Sequence, residues 1–458
     1  MDKFVIFYLA LLVGVPAGIA LSVASRSVRD GVFTLMVACT CIPDAVGINF
    51  ISREFYRANT RGFEITLFDL CALVLFGAML LCRDYRPFRW IPALSGPFLL
   101  YVLVIFLSWL AVSPSRLEVP DAAAYLVPYE WFEIKLYPLF ELTKVLRGFF
   151  IYLVVVNYLR DERALRPLLT GVVLAALLVT YIAVTDRYVV GIHRVSATLG
   201  HPNSLCTYMA MLGAVLFAAC LQRQSLPGSL LLGAVTAGCG LTVILAISRG
   251  GLAAYMLGLF LVLAGLFHRH LTFKNFLVVL VGLVIATLAL AYASSTLLGR
   301  FVKEQDVSTD LDYRRFYNAE AKGMAADHPL LGVGMGNFSA YSWDRYAAEV
   351  DPLLPPGTPA HNNWYLTLGE LGWLGVAALG FLWFRFYQFS GRLLFDRSRG
   401  AAQALAVGAI AATVACQLQS LLQLGYRQSP IYFMLMILMG VGVGVRQWHS
   451  TPAPATGS

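Results

Sequence analysis

The sequence contains few charged residues. Asp, Glu, Lys and Arg together make up 13% of its 458 residues, whereas soluble domains average about 25%. Hydrophobic residues make up 59%, and they come in blocks of about 17–25 residues, the length of a helix that crosses a bilayer. This composition excludes a soluble globular enzyme. It also excludes an outer-membrane barrel, whose strands alternate apolar and polar residues over about ten positions.

Patterns for binding metals or forming disulfides are also missing. The eight cysteines lie in or at the ends of apolar blocks, which argues against a disulfide framework and against zinc spacing. The sequence has no P-loop, dinucleotide fingerprint, Ser-His-Asp motif or zinc helix motif. Asp310 and Asp312 have the spacing of some metal-binding pairs, but the neighbouring acidic residues are scattered. We therefore expect no metal ion and no other cofactor.

The apolar blocks predict an all-α polytopic membrane protein with about 12–13 transmembrane helices, because a helix satisfies its own backbone hydrogen bonds inside lipid. The candidate spans lie near residues 4–23, 31–50, 65–82, 95–112, 146–159, 168–185, 197–220, 228–247, 251–267, 274–293, 364–388, 401–423 and 430–446. Block 31–50 is the weakest, since it contains Pro43 and Asp44. If both termini are cytoplasmic, one of the early blocks does not cross.

The polar connections between the blocks alternate in charge. One set is short and rich in arginine, which places it in the cytoplasm by the positive-inside rule. The other set includes two long loops that we place on the outer, periplasmic side, at residues 113–144 and 294–363. The first is acidic and aromatic and resembles a surface-bound amphipathic segment. The predicted units are helices 1–10 over 1–293, the outer loop 294–363, the C-terminal helices over 364–450 and a disordered tail over 451–458.

Several arginines occur where the positive-inside rule disfavours them. The arginines at predicted outer helix ends or in outer loops are Arg53, Arg57, Arg61, Arg187, Arg194, Arg249, Arg314, Arg315 and Arg427. A single one can snorkel or pair with an acid, but the set favours a polyanion site, because a guanidinium makes two parallel bonds to a phosphate. Arg249 stands out, since Ser248-Arg249-Gly250-Gly251 separates two apolar blocks with almost no loop.

A histidine lies at the junction of the second outer loop and the next apolar block. Histidine side chains are the usual general bases at neutral pH, so His361 is a candidate base, although a capping or surface role is the alternative. Asn362 is placed to cap the following helix. His201 and His328 each precede a proline, and we interpret both as structural residues.

Together these motifs resemble the O-antigen ligase/polymerase family of bacterial inner-membrane glycosyltransferases. The matching pieces are Arg194 with Pro202-Asn203, the turn at 248–251, Arg314, the segment 328–338 (HPLLGVGMGNF), His361-Asn362 and Gly372-Trp-Leu-Gly375. The resemblance covers roughly residues 190–380. Three features differ from many members: Ala197 replaces a glycine, Asn318 replaces a tryptophan, and the loop arginine is doubled as Arg314-Arg315.

The resemblance implies a GT-C-like architecture and a metal-independent, inverting transferase. Such a protein takes a glycan from undecaprenyl pyrophosphate on the periplasmic face and passes it to an acceptor hydroxyl. The residues that it implies for pyrophosphate binding are Arg194, Arg249, Arg314 and Arg315. It also implies that Arg249 and Arg314 stabilise the leaving group, and that His361, supported by Asn362, activates the acceptor.

Several functions remain open at this stage. An O-antigen ligase with lipid A–core as acceptor is favoured, and a polymerase of O-antigen or exopolysaccharide repeats is the alternative within the family. A membrane transporter or anion channel is the alternative from another class, although polar residues concentrated at one face favour surface chemistry over a path through the midplane. A scaffold would leave the outer arginines unexplained, and no pattern indicates nucleic-acid binding.

Overall fold

The computed structural model describes residues 3–42, 47–51, 63–111, 131–222, 225–270, 272, 307–350, 358–394 and 400–449. This part of the chain is almost entirely helical. Eight of its helices are long and apolar enough to cross a membrane, and two shorter apolar helices, Leu67–Leu81 and Ser95–Ala111, accompany them. The predicted class, an all-α polytopic membrane protein, is confirmed. The predicted span 274–293 and the tail 451–458 lie outside the described residues.

The described helices, in chain order, are α1 (Lys3–Leu9), α2 (Val15–Ala24), α3 (Arg26–Cys39), α4 (Leu67–Leu81), α5 (Ser95–Ala111), α6 (Trp131–Tyr158), α7 (Leu165–Thr185), α8 (Pro202–Gln222), α9 (Leu226–Leu245), α10 (Arg249–His270), α11 (Val307–Asp327), α12 (Phe338–Tyr341), α13 (Ala347–Val350), α14 (Asn363–Ser390), α15 (Ala401–Ser420) and α16 (Ser429–His449). Two strands, β1 (Gly47–Ile51) and β2 (Phe63–Thr66), pair in antiparallel orientation. Wider π-helical turns join α1 to α2, extend α7 and join α12 to α13.

The predicted span at 31–50 is wrong. α3 ends at Cys39, and the end of the block forms β1 of the hairpin. Both strands are short and rich in β-branched and aromatic residues, which favour extended structure over helix. The hairpin ends where Thr66 and Asp69 form a reciprocal capping box that starts α4, since the Thr66 backbone N–H donates to Asp69 at 2.8 Å.

α6 begins at Trp131, well before the start near 146 that the apolar block predicts. Glu141 and Lys144 belong to this helix, and both side chains are buried in the bundle, with exposed fractions of 2% and 7%. This stretch of the predicted outer loop is therefore packed inside the protein. Residues 112–130 of that loop lie outside the described part of the chain.

The core of the bundle is built around α8, which is buried along nearly its whole length. Helices α9, α10 and α15 pack directly against it. The approach of α8 and α15 depends on small residues: a side-chain carbon added to Gly408 would lie 2.8 Å from Ala218 and 3.1 Å from the Ala214 carbonyl oxygen. Close backbone packing of this kind holds helices together in lipid, where burying apolar side chains gains little.

The two ends of the bundle carry different features. At one end the short arginine-rich connections meet, as their shared charge predicts: Arg26 Nη2 lies 2.8 Å from Asp161, and Arg160 donates to the Pro87 carbonyl at 2.7 Å. The opposite end, where α14 begins, is referred to below as the His361 end. The starts of α8, α10 and α16 and the end of α15 lie there with α11.

Candidate functional site

A broken helix forms the base of the His361 end. Within α14, Gly372 has φ 63° and ψ −166°, which separates the first turns of the helix from the rest. The glycine-rich turn after α11 pairs with the backbone at this break. The Val333 N–H donates to the Gly369 carbonyl at 3.1 Å, and the Gly334 N–H donates to the Glu370 carbonyl at 2.8 Å. The turn and the first segment of α14 (Asn363–Leu371) are thereby held as one unit.

Glycine is required at this contact for two reasons. Gly332, Gly334 and Gly336 have left-handed φ values of 63°, 97° and 89°. Residues with a side chain rarely adopt this conformation, whereas glycine does so at little cost. The backbones also touch: a carbon added to Gly372 would lie 2.5 Å from the Leu330 carbonyl oxygen. The glycine pattern noted in the sequence therefore encodes a close backbone contact with α14.

His361 and Asn362 lie at the start of this segment. The Asn362 side chain accepts hydrogen bonds from the backbone N–H groups of Trp364 and Tyr365, at 2.9 and 3.3 Å, so the predicted helix cap is confirmed. The His361 ring stacks on the ring of Tyr317 in α11, with centroids 5.6 Å apart and planes inclined by 25°. This contact fixes the ring against the helix that carries the loop arginines.

α11 carries Arg314 next to this stack and Arg315 on a different face of the helix. Arg314 is half-buried and lies one helical turn before Tyr317, so the two residues share a face of the helix. Arg315 is exposed. Asn318 lies one turn after Arg314, and its Oδ1 atom is buried and accepts no hydrogen bond. His361 therefore contacts the face of α11 that also carries Arg314.

Arg194 lies in the turn that leads into α8. Its Nη2 atom donates to the Asn203 side-chain oxygen at 3.3 Å, which closes the turn over the helix start. The backbone N–H of Asn203 donates to Nδ1 of His201 at 3.2 Å, in agreement with the structural role predicted for that histidine. The α8 helix begins at Pro202, where the missing N–H of proline is tolerated.

Arg249 is the first residue of α10, and its side chain is exposed. The helix starts there because Ser248 caps it: the Gly251 N–H donates to the Ser248 hydroxyl at 3.2 Å. The two glycines that follow are in close contact with neighbouring helices. A carbon added to Gly250 would lie 2.7 Å from Leu422, in the connection between α15 and α16.

The turns that carry Arg194 and Arg249 pack against each other. The Val195 N–H donates to the carbonyl of Leu245, the last residue of α9, at 3.4 Å. Among the residues that the structure describes, two non-glycine residues have left-handed φ, Ala197 at 45° and Ile247 at 50°. One lies in each of these turns. Such backbone strain is uncommon, especially for a β-branched residue, and it concentrates at functional sites.

The connection 421–428 joins these two halves of the site. Leu422 contacts the Arg249 turn at Gly250. Two residues later, Leu424 packs in the apolar cluster that contains Tyr317. The structure therefore brings the Arg194 and Arg249 turns together, places Arg314 one turn before the residue that His361 contacts, and sets both regions beside the same short connection.

Four buried charges lie beneath the first segment of α14, and this ion cluster consists of Glu141, Lys144, Glu370 and Arg427. Arg427 Nη1 donates to Glu141 at 3.1 Å, Arg427 Nη2 pairs with Glu370, and Lys144 donates to the Arg427 carbonyl. A small cavity of about 40 Å³ adjoins the cluster, and Asn363 also lines it. The sequence singled out Arg427, but its partners lie far away along the chain.

The remaining outer arginines fall into two groups. Arg187 donates to carbonyls of its own loop, at 2.7 Å to His193 and 3.5 Å to Ile192, so its role is to hold that loop. Residues Arg53, Arg57 and Arg61 lie outside the described part of the chain.

One acidic side chain in α11 has an unusual environment. Glu320 is fully buried, and this burial raises its pKa to about 7, an effect that the nearby Ser342 side chain only partly offsets. Nearby, Arg345 bridges Asp327 at 2.6 Å and Glu349 at 2.5 Å. In the described residues, no group of three or more His, Cys, Asp or Glu side chains is placed to hold a metal ion.

The fold and these contacts define a polytopic membrane protein with arginine-bearing turns and one stacked histidine at the same end of its bundle. The family model described as O-antigen ligase (Wzy_C) matches residues 232–380, and this match supports an assignment to the O-antigen ligase family. The match contains Arg249, Arg314, the glycine-rich turn and His361. A search of curated proteins finds no match.

Proposed function

We propose that the protein transfers a glycan from a polyprenyl-pyrophosphate donor, undecaprenyl pyrophosphate in bacteria, to an acceptor hydroxyl at the His361 end. The observation that carries this proposal is the stack of His361 on Tyr317, in the helix that also bears Arg314. Transfer from a pyrophosphate requires a proton acceptor and a positive charge at one site, and this helix contact supplies a histidine and carries an arginine. The family assignment supports a role in glycan transfer of the ligase or polymerase type.

The reaction needs positive charge at one position and a proton acceptor at another. The acceptor oxygen forms a bond to the anomeric carbon while the bond from that carbon to the pyrophosphate oxygen breaks. The electron pair of the broken bond stays on the pyrophosphate, and the acceptor's proton passes to His361. Attack opposite the leaving group inverts the anomeric centre. The products are the glycosylated acceptor and the free polyprenyl pyrophosphate.

Arginines supply the positive charge in this proposal. Arg249 and Arg314 stabilise the charge that develops on the leaving group, because cations placed before the reaction stabilise that charge without reorganisation. Arg194 and Arg315 help to bind the donor. Arg249 is also the first residue of α10, and the free N–H groups of a helix N-terminus favour an anion. The fixed guanidinium groups take over the task of a metal ion, so the proposed reaction is metal-independent.

The proposed orientation places the His361 end in the periplasm and the protein in the bacterial inner membrane. It is supported by the arginine-rich connections at the other end of the bundle, such as the contact of Arg26 with Asp161. Short basic loops stay in the cytoplasm.

The acceptor that we propose is lipid A–core, which makes the protein an O-antigen ligase. The second candidate is a polymerase that extends lipid-linked glycan repeats, and the family assignment favours both in equal measure. The two differ in the acceptor alone, since donor binding and the roles of the arginines and of His361 are common to them.

A reconstituted transfer assay distinguishes these functions. Purified protein in nanodiscs, in the presence of EDTA, receives undecaprenyl-pyrophosphate glycan with or without lipid A–core. We expect one new glycosylated lipid A–core band and no product without that acceptor. A ladder of longer lipid-linked glycans without lipid A–core would establish the polymerase. Absence of any product, together with solute flux in proteoliposomes, would contradict glycan transfer and favour a transporter. Activity that EDTA abolishes would contradict metal independence.

A further inference from the structure

The ion cluster of Glu141, Lys144, Glu370 and Arg427 has no part in the proposed chemistry. All four side chains are buried, with exposed fractions between 2% and 7%. The cluster contains two positive and two negative charges, so it is neutral as a whole. Its members come from α6, from α14 and from the connection between α15 and α16, and they link these three elements.

A stabilising role alone does not account for such a cluster. Removing charges from water is unfavourable, and well-packed apolar residues of similar volume usually stabilise a fold at least as well as a buried ion pair does. Ionisable groups inside a membrane protein are therefore functional candidates until shown otherwise. What distinguishes the cluster is its directional contacts, because a guanidinium in two ion pairs fixes the angle between its partners.

The contacts form a path to His361. Lys144 and Glu141 on α6 hold the backbone carbonyl and the Nη1 atom of Arg427. The Nη2 atom of Arg427 then pairs with Glu370. Glu370 lies in the first segment of α14, two residues before the break at Gly372.

That segment depends on external contacts for its orientation, because Gly372 separates it from the membrane-spanning remainder of α14. Asn363, Thr367 and Glu370 are spaced at i, i+4 and i+7, so one face of the segment carries all three toward the cavity and the cluster. The opposite side packs on α11, where Tyr365 packs against the apolar cluster of Tyr317 and Gly369 lies beside Ala321. The segment is held between an ionic contact and an apolar one, and His361 precedes its first residue.

We propose that Arg427 and Glu370 are positioning residues that orient the first segment of α14 and thereby set the place of His361 in the site. The catalytic part of this inference rests on the proposed function. Neither residue is expected to touch donor or acceptor. Loss of their ion pair lets the segment tilt at Gly372, which moves His361 relative to Arg314 while the arginine turns at 194 and 249 keep their structure.

The test compares Glu370→Gln, which keeps the shape and loses the charge, with Arg427→Lys, which keeps the charge and loses the fork. The matched control is Asp69→Asn. Asp69 forms another partly buried ion pair at the same end, with Arg147 at 2.6 Å, but it lies on α4, away from α14. The readouts are kcat and donor KM for transfer, together with hydrogen exchange of the peptide over residues 361–371.

We expect kcat to fall about 10- to 100-fold in both cluster variants, as for a reacting group displaced by about 1 Å. Donor KM should stay within about twofold, because the interaction lost acts in the transition state. Hydrogen exchange should become faster within 361–371 and remain unchanged in α8 and α10. The Asp69→Asn protein should keep the wild-type kcat and the wild-type exchange of that peptide.

A second variant guards against misfolding from uncompensated charge. Glu370→Gln combined with Lys144→Met keeps the cluster neutral and retains the Arg427–Glu141 pair, and it should show the same loss of kcat. Wild-type kcat and exchange in these variants would overturn the proposal. A fall of kcat with a parallel rise in KM and faster exchange throughout the bundle would also overturn it, since that pattern indicates a purely structural role. If the wild type itself transfers no glycan, the proposed function fails, whereas the exchange measurement still tests the positioning.

Discussion

The ring of His361 stacks on the ring of Tyr317 at a centroid distance of 5.6 Å. His361 precedes the first segment of α14, and Tyr317 lies in α11, one turn after Arg314. The contact therefore joins the proposed proton acceptor to the helix that carries a proposed phosphate-binding arginine.

Removal of the Tyr317 ring should misplace His361. Aromatic contacts of this kind contribute about 0.5–1.5 kcal/mol beyond burial, so we expect Tyr317→Ala to lower kcat about tenfold. Tyr317→Phe keeps the ring and serves as the matched control, with kcat close to wild type. Steady-state transfer kinetics measure both. Equal loss in the two variants would show that the hydroxyl group, and not the stack, matters.

Arg249 should require the guanidinium and not charge alone. Arg249→Lys loses the two-pronged phosphate contact, and we expect transfer to fall about 100-fold, as when a transition-state donor is removed. Arg187→Lys is the control, because Arg187 bonds to carbonyls of its own loop, and its activity should remain near wild type. Full activity of Arg249→Lys would exclude a bidentate contact there.

The close contact between the glycine-rich turn and α14 should not tolerate a side chain. Gly372→Ala adds a carbon 2.5 Å from the Leu330 carbonyl oxygen and also strains a left-handed φ; we expect a loss of about 3 kcal/mol or more in unfolding free energy. Gly191 also has left-handed φ, at 84°, but no atom lies within 4 Å of an added carbon. Gly191→Ala should lose only about 1 kcal/mol. Thermal unfolding in detergent measures both, and equal losses would show that φ strain alone decides.

Glu320 should make the stability of the protein around α11 depend on pH. Burial raises its pKa from 4.5 to about 7, so the folded protein favours the protonated acid. The associated stabilisation is complete below about pH 4.5 and is lost as pH rises through about 7. Glu320→Gln mimics the neutral acid, and at pH 8.5 it should be more stable than wild type by up to about 3 kcal/mol.

The matching measurement is thermal unfolding of wild type and Glu320→Gln between pH 5 and pH 8.5. At pH 5 the two proteins should unfold at similar temperatures, and the difference should grow with pH. Parallel curves over the whole range would show that Glu320 keeps an ordinary pKa.

Much of the fold could be predicted from the sequence. Apolar blocks of membrane-spanning length identify helices such as α8 and α16 with boundaries close to those observed, because a helix in lipid must be long and continuous. The single span predicted for block 31–50 is wrong because hydrophobicity alone does not distinguish one long helix from a short helix followed by a strand. The early start of α6 was not predicted because Glu141 and Lys144 look like loop residues in the sequence. In the structure both side chains are buried, and each contacts Arg427.

The site could be predicted in part. The turn at 248–251 and the His361-Asn362 pair combine a charged or titratable residue with helix-starting chemistry, and this local pattern is visible in the sequence. The ion cluster could not be assembled in advance, since Arg427 and Glu141 lie far apart along the chain. A usable signal was Glu370, an acidic residue inside an apolar block, which requires a buried cationic partner.

Transfer kinetics of His361→Ala test the central claim most directly. The experiment compares wild type, His361→Ala and His193→Ala, a control that removes an exposed histidine from another loop. Each protein is assayed for glycan transfer and, separately, for binding of undecaprenyl-pyrophosphate glycan. The account predicts that His361→Ala loses transfer by at least about 100-fold while its donor affinity and that of the control remain at the wild-type value. Transfer at the wild-type rate in His361→Ala would contradict the account.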